Sequence, residues 1–300
     1  MIKLLITGSN GQLGSHFNNL ELNKDNKLDL NKRYKSKTKN SLFNIISSHY
    51  KKKINFVHLD IINENQVKNV IDNYKPDVII NAAAITDVDF CETNKSLARK
   101  VNVEGLKFII KHSSSDMKII QISSDFIYDG IKGFYNEESL PNPINYYGKT
   151  KLEAENILLS SHKNFIIIRV STLYSNYANN FYQWVLTNLS KQNNISIVDD
   201  QISNPCYALN LVNLIFDLIL LDYNGKINFG SNNNISRLEF ALKIAELNGL
   251  NKDLILKSKT EDLNFISKRP LNTSFDLNLS KKLNLNLFST DDTIEYISKL

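Results

Sequence analysis

Short apolar runs closed by turn residues alternate with amphipathic stretches through the first half of the chain. The runs at 3–7, 55–59, 78–81, 118–123 and 165–170 have the length of buried strands, and the stretches at 12–22, 64–74, 97–112 and 146–160 carry apolar residues at helical spacing. Ile166, Ile167 and Ile168 leave no polar face, as expected where helices cover both sides of a parallel sheet. The alternation predicts βαβ units, and with them an α/β fold built on a Rossmann-type doubly wound parallel sheet. Between Leu22 and Lys53 the pattern is weakest, and the second strand is expected at 27–31 if it is visible at all.

From about Phe181 the rhythm loosens into a helix to Lys191, a short strand at 195–198 and helices at 208–221 and 236–247. No Pro/Gly/Ser-rich linker and no repeat separates this part from the first. Residues 1–175 are therefore expected to form a nucleotide-binding domain, with segments within about 195–230 returning to it. Residues 176–300 would mainly form a smaller substrate-binding lobe over the carboxyl edge of the sheet.

Composition narrows the class. Three hundred residues can bury a full core without disulfides or metal. The only cysteines, Cys91 and Cys206, are far apart and form no C-x-x-C pair, so neither a disulfide framework nor a zinc site is suggested and no metal is expected. With no charged leader, cleavage site or long apolar stretch, a soluble cytoplasmic protein without membrane contact is expected. The net charge of +5 gathers in Lys32, Arg33, Lys35, Lys37, Lys39, Lys51, Lys52 and Lys53. That run reads as solvated loop or helix surface, a nucleic-acid patch wanting interleaved aromatics within a recognised module, so no nucleic-acid partner is expected.

Gly8, Gly11 and Gly14 form G-x-x-G-x-x-G directly after the first strand and at the mouth of the first helix. There the missing Cβ atoms let the backbone approach a pyrophosphate while the helix N-terminus offers free N–H groups. A dinucleotide, NADP(H) or NAD(H), is the implied cofactor. An acidic residue at the second-strand end favours the unphosphorylated form and a basic one the 2′-phosphate. Asp29, Asn31, Lys32 and Arg33 all lie near the expected place and leave the choice open, with Lys32 and Arg33 tilting it toward NADP(H). Asp60 follows the next strand, where its carboxylate can accept from the adenine amino group and Ile61 can pack on the ring; the competing role is a helix N-cap.

Tyr147 and Lys151 stand four apart and share a helix face. Reduction of a carbonyl needs a proton for the developing alkoxide. Bringing a phenol from a pKa of about 10 to about 7 takes roughly 4 kcal/mol. A close ammonium supplies about that much at an effective dielectric of about 20. The spacing alone is common, and Tyr146, Lys149 and Thr150 compete for the roles. Ser123, Ser124 and Asp125 close the strand at 118–123, the edge where ligands gather, and a hydroxyl there can donate to a substrate carbonyl oxygen or simply cap the next turn.

Taken together these residues resemble the extended short-chain dehydrogenase/reductase superfamily, and within it the dTDP-4-dehydrorhamnose reductases. The resemblance rests on the glycine turn, on Asn81 to Asp89 with Cys91 and Glu92, on Val101 to Gly105, on Ile122 to Gly130 and on Pro141 to Glu153. It implies reduction of a 4-keto-6-deoxy nucleotide sugar, with a possible homodimer. Tyr147 would donate the proton, Lys151 would hold the nicotinamide ribose and depress the tyrosine pKa, and Ser124 would sit beside the substrate carbonyl. Gly8, Gly11, Gln12, Leu13 and Gly14 would line the pyrophosphate, Asp60 and Ile61 the adenine, and Ala82, Ala83, Ala84 and Thr86 the groove wall. Asp125, Thr172, Gln201 and Arg269 would face the substrate, Arg269 as a diphosphate clamp or else in a surface ion pair. Asn102 would be a structural or relay residue.

Two departures bear on the substrate. Thr172 stands where the resembled reductases place a tryptophan against the sugar, and Ser203-Asn204-Pro205-Cys206 replaces their Gly-x-Pro-Thr. Sister activities remain as alternatives. A dehydratase would need an Asp and Glu pair after the active-site hydroxyl, whereas Asp125 is followed by Phe126. A nucleotide-sugar epimerase, or a non-catalytic subunit like the reductase-like partner of methionine adenosyltransferase, would keep the same fold.

Overall fold

A computed structural model describes residues 1–22, 43–51, 56–161 and 164–300, without the side chains of residues 20–22. Its main sheet holds β1 (Ile2–Thr7), β2 (Phe43–His49), β3 (Val57–His58), β4 (Val78–Asn81), β5 (Lys118–Ser124), β6 (Phe165–Val170) and the later strand Gly225–Phe229. The spatial order is Gly225–Phe229, β6, β5, β4, β1, β2, β3, with every pair parallel. β1 has β2 on one side and β4 on the other, so the chain reverses direction across the sheet at the β1/β4 boundary, where such folds open a crevice at the carboxyl ends.

Successive strand residues face opposite cores, which is why the strands read as unbroken apolar runs. Leu4, Ile6, Ile166, Ile168 and Val170 pack against the Ala208–Leu220 helix and Phe17, while Leu5, Ile79, Ile119 and Ile167 pack against Val67, Ile71, Leu106, Ile109 and Leu158. A separate core of Tyr174, Tyr182, Val185, Ile197, Phe240, Ile244 and Ile294 holds together the helices Phe181–Ser190, Arg237–Leu247 and Thr290–Ser298. No helix among the described residues is long and apolar enough to cross a membrane.

The expected strand at 27–31 lies outside the described residues, and the strand hydrogen-bonded beside β1 is Phe43–His49. Its signal is masked by polar residues that the fold satisfies locally. The buried Ser48 hydroxyl donates to the Ile6 carbonyl at 2.8 Å, and the Ser48 N–H donates to the Ser9 hydroxyl at 3.0 Å. The residues that follow this strand are Tyr50 and Lys51, whereas Asp29, Asn31, Lys32 and Arg33 lie outside the described residues. The strand expected at 55–59 shortens to Val57–His58. The helix expected at 97–112 is interrupted by a π-helical turn at Lys100–Glu104 between Lys95–Arg99 and Gly105–His112.

Candidate active site

Both sides of the crevice are tied together by side chains at the strand ends. Thr7 donates its hydroxyl proton to Asn81 at 2.8 Å and accepts from the Ala83 N–H at 3.1 Å, while the Asn81 amide donates to Gln121 at 2.8 Å. This fixes the turn Gly8–Gly14 against Ala82, Ala83 and Ala84, which are half-buried, while Thr86 is exposed. The three glycines have different tasks. Gly8 sits at φ +70°, and a Cβ there would lie 2.9 Å from the Ala83 backbone. A Cβ on Gly14 would meet the Ser9 Cα at 2.3 Å. Gly11 is exposed, and a Cβ there would meet nothing nearer than the Gly8 carbonyl at 3.3 Å, so its surface stays open toward the crevice. Leu13 turns its side chain into the core and has only backbone to offer a ligand; Gln12 keeps a buried amide oxygen without a protein partner. These features fit a dinucleotide pyrophosphate: an open glycine, small neighbouring alanines and a helix N-terminus.

Asp60 is not a helix N-cap. Asn63 caps the Glu64–Tyr74 helix, and an Asp60 carboxylate oxygen accepts from the Ile62 N–H at 3.2 Å in a half-exposed turn. Ile61 is buried in the core against Gly105, so it presents little side chain to a ring.

Tyr147 and Lys151 lie in the first turns of the Tyr146–Ser160 helix, capped by Asn145, whose side chain accepts from the Gly148 N–H at 2.8 Å. A Cβ on Gly148 would lie 2.1 Å from the Phe126 carbonyl oxygen; the missing side chain lets the helix seat directly on the turn after β5. That contact brings Tyr147 to Ser124. Ser124 caps the short helical turn Asp125–Ile127 through the Phe126 N–H at 3.2 Å and lies close enough to the Tyr147 phenol to influence its ionisation. Burial pushes the Tyr147 pKa up, opposed by the neighbouring Ser124 hydroxyl and reinforced by Asp125 and Cys91. The expected depression by Lys151 is not what the protein groups produce. The Lys151 ammonium donates to the Ile122 carbonyl at 2.6 Å, and burial pulls its own pKa down to about 8. Tyr147 is thus held as a neutral phenol, the state a proton donor requires.

Asp125 is also corrected. It is 3% exposed, and its carboxylate accepts from the hydroxyls of Ser124 (3.1 Å), Ser171 (3.0 Å) and Thr273 (2.5 Å). It therefore ties the turn after β5 to the segment Pro270–Phe275, with all its hydrogen bonds made inside the protein. Asn102, in the π-turn, clasps Ile85 through both its amide groups and donates to Thr150 at 3.0 Å, which itself donates to the Tyr147 carbonyl at 2.7 Å. This makes Asn102 a support of the helix that carries Tyr147 and Lys151. Behind it Glu155, one turn beyond Lys151, accepts from Ser123 at 2.5 Å and from Arg169 at 2.7 Å in full burial.

On the lobe side, Thr172 meets the Ser203 hydroxyl at 3.3 Å and the Gln201 amide donates to Thr260 at 3.1 Å, both half-buried. Arg269 pairs with Asp89 at 3.0 Å and lies over the Phe265 ring. The ion pair joins it to the helix Val88–Thr93 beside the Tyr146–Ser160 helix, whose first N–H, that of Tyr146, donates to Glu92 at 2.9 Å. Two residues given no role from the sequence also line this region: Cys91, fully buried beside Tyr147, and Arg237, over the Phe181 ring. No local motif marks Arg237; only the fold brings it in.

A seven-stranded parallel sheet, a glycine turn at its switch point and a Ser, Tyr and Lys set at the neighbouring strand end define a short-chain dehydrogenase/reductase of the extended type. The chain belongs to the RmlD substrate binding domain family, which it matches over residues 2–292. It is 32% identical to the dTDP-4-dehydrorhamnose reductase of Aggregatibacter actinomycetemcomitans over 92% of this chain and 91% of that one. The methionine adenosyltransferase 2 subunit beta of Xenopus tropicalis is also 32% identical, but over 57% of this chain and 47% of its own. Among solved structures, the dTDP-4-dehydrorhamnose reductase of Bacillus anthracis in complex with NADP superposes with a TM-score of 0.85 at 28% identity, covering 99% of both chains.

Proposed function

We propose that this protein reduces the C4 carbonyl of a 4-keto-6-deoxy nucleotide sugar in the cytoplasm, with Tyr147 as proton donor. The observation that carries this reading is the buried Tyr147 phenol beside Ser124 at the carboxyl end of β5, with Lys151 one helical turn on. When bound, NADP(H) or NAD(H) supplies the hydride. Gly11, the backbone of Gln12 and Leu13, and Ala82 to Ala84 would hold its pyrophosphate and flank its path, with Asp60 at the adenine end. Ser124 donates to the substrate carbonyl oxygen and orients it toward Tyr147. Tyr147 gives its proton to the oxygen as negative charge develops there, and Lys151, stripped of water, steadies the resulting phenolate. Thr172, Gln201 and Arg269 face the sugar nucleotide from the lobe, Arg269 with the N–H groups that Asp89 leaves free.

Lys51, the basic residue after β2, favours the phosphorylated cofactor. The relationship to the Bacillus anthracis reductase with NADP supports that preference. The test is steady consumption of reduced cofactor with a 4-keto-6-deoxy nucleotide sugar, and its loss in Tyr147→Phe by about 10²–10⁴-fold at unchanged cofactor affinity. Full turnover by Tyr147→Phe would refute the assignment. No consumption by the wild type would favour a binding-only role.

A further inference from the structure

Arg237 opens the helix Arg237–Leu247, just inside a capping box formed by Ser236 and Glu239. Its backbone N–H donates to the Gln201 carbonyl at 2.9 Å, which pins it to the turn that carries the Gln201 side chain. The guanidinium lies over the Phe181 ring at 4.7 Å, attracted by Asp125 and repelled by Arg269. The other described arginines are paired: Arg99 with Glu104 and Glu153, Arg169 with Glu155, Arg269 with Asp89. Among the described residues no carboxylate comes within ion-pair distance of Arg237, and no protein acceptor takes any of its side-chain N–H donors. Asp125 cannot serve, because its oxygens already accept from Ser124, Ser171 and Thr273. Arg237 is half-buried, and crowding around the guanidinium pulls its pKa down to about 10, with Asp125 opposing the shift. Such a group is stabilised by an acceptor that arrives from outside the chain.

We infer that Arg237 is an anion-recognition residue of the substrate site, taking an oxyanion of the bound nucleotide sugar beside Arg269. The inference rests on the nucleotide-sugar reading above. Its planar fork fits a diphosphate oxygen pair and a ring carboxylate equally well, and its neighbours Asp125 and Gln201 place it between the reacting end and the lobe.

The experiment is calorimetric titration of wild type, Arg237→Met and Arg237→Lys with dTDP, dTMP, UDP-glucuronate and UDP-glucose, with melting temperature and NADPH affinity measured alongside. A diphosphate contact predicts that Arg237→Met weakens dTDP by tenfold or more and dTMP by less than twofold. A ring-carboxylate contact predicts unchanged dTDP and loss of the preference for UDP-glucuronate over UDP-glucose. Arg237→Lys keeps the charge without the fork and should fall between wild type and Arg237→Met, which keeps the comparison informative if the methionine variant melts early. Equal weakening of dTDP and dTMP would support a contact with the phosphate they share, whereas affinities within twofold for every ligand would overturn the inference alone. A wild type that binds none of these nucleotides would overturn the nucleotide-sugar reading and this inference with it.

Discussion

Substituting the three glycines of the phosphate-binding turn one at a time by alanine separates packing from ligand contact. Gly8→Ala forces a Cβ at φ +70° to within 2.9 Å of the Ala83 backbone. A left-handed non-glycine residue costs about 1–2 kcal/mol, and overpacking against atoms that cannot move away costs about 1–3 kcal/mol more. The sum of about 2–5 kcal/mol corresponds to a fall in Tm of roughly 4–10 °C for a chain of this size. Gly14→Ala should be at least as damaging, because its Cβ would lie 2.3 Å from the Ser9 Cα and push the first helix off the turn. Gly11→Ala meets only the Gly8 carbonyl at 3.3 Å, a contact relieved by a few tenths of an ångström, so its stability should stay within about 1 kcal/mol of wild type. Its methyl group would instead stand in the path of the pyrophosphate and weaken NADPH by about tenfold or more, about 1.4 kcal/mol. Thermal melts without cofactor, paired with nicotinamide fluorescence titrations, read the two effects separately. A Gly11→Ala protein that melts as early as Gly8→Ala yet binds NADPH normally would refute this division.

Further outcomes follow from the groups behind the site. Glu155→Leu leaves Arg169 buried without its carboxylate and should cost about 3–5 kcal/mol in urea denaturation, whereas Glu155→Leu with Arg169→Met should recover most of it; equal losses would mean that the pair is not what holds this region. The Lys151 pKa falls from 10.5 to about 8 on folding, so the charged lysine opposes folding by about 3 kcal/mol below pH 8, and the penalty fades as pH rises from about 8 to 10.5. Lys151→Met should therefore stabilise the cofactor-free protein at pH 7 and lose that advantage above about pH 10.5, a pattern that parallel melts across pH would check. Lys51→Glu should lower NADPH affinity by about tenfold and spare NADH; equal effects on both cofactors would remove Lys51 from cofactor choice.

Most of the sheet was legible because its strands are buried on both faces and contain few polar residues, as in Ile166 to Ile168. β2 was not, because Asn44, Ser47 and Ser48 break its apolar run and the hydrogen bonds that make Ser48 compatible with burial come from Ile6 and Ser9. The motif residues Gly8, Gly11, Gly14, Ser124, Tyr147 and Lys151 lie around one edge of the sheet, since each is tied to a strand end or a helix start that local pattern marks. Asp125 was misjudged for the opposite reason. Its environment is made by Ser171 and by Thr273, the latter 148 residues away, and nothing near it in the chain signals that the carboxylate is enclosed. Arg237 carries no motif of its own, and its lack of a partner emerges only when the Arg237–Leu247 helix is set against Phe181 and Asp125.

Net hydride transfer onto the substrate, with Tyr147 as the proton donor, is the step on which the proposed function depends. The most direct measurement is mass spectrometry of the sugar product formed from a 4-keto-6-deoxy nucleotide sugar and nicotinamide cofactor deuterated at its C4 position. One deuterium should be carried to the sugar C4 for each cofactor oxidised, with the label absent from product when Tyr147→Phe replaces the wild type over the same time. Sugar isomerised without label, or label transferred at an unchanged rate by Tyr147→Phe, would contradict it.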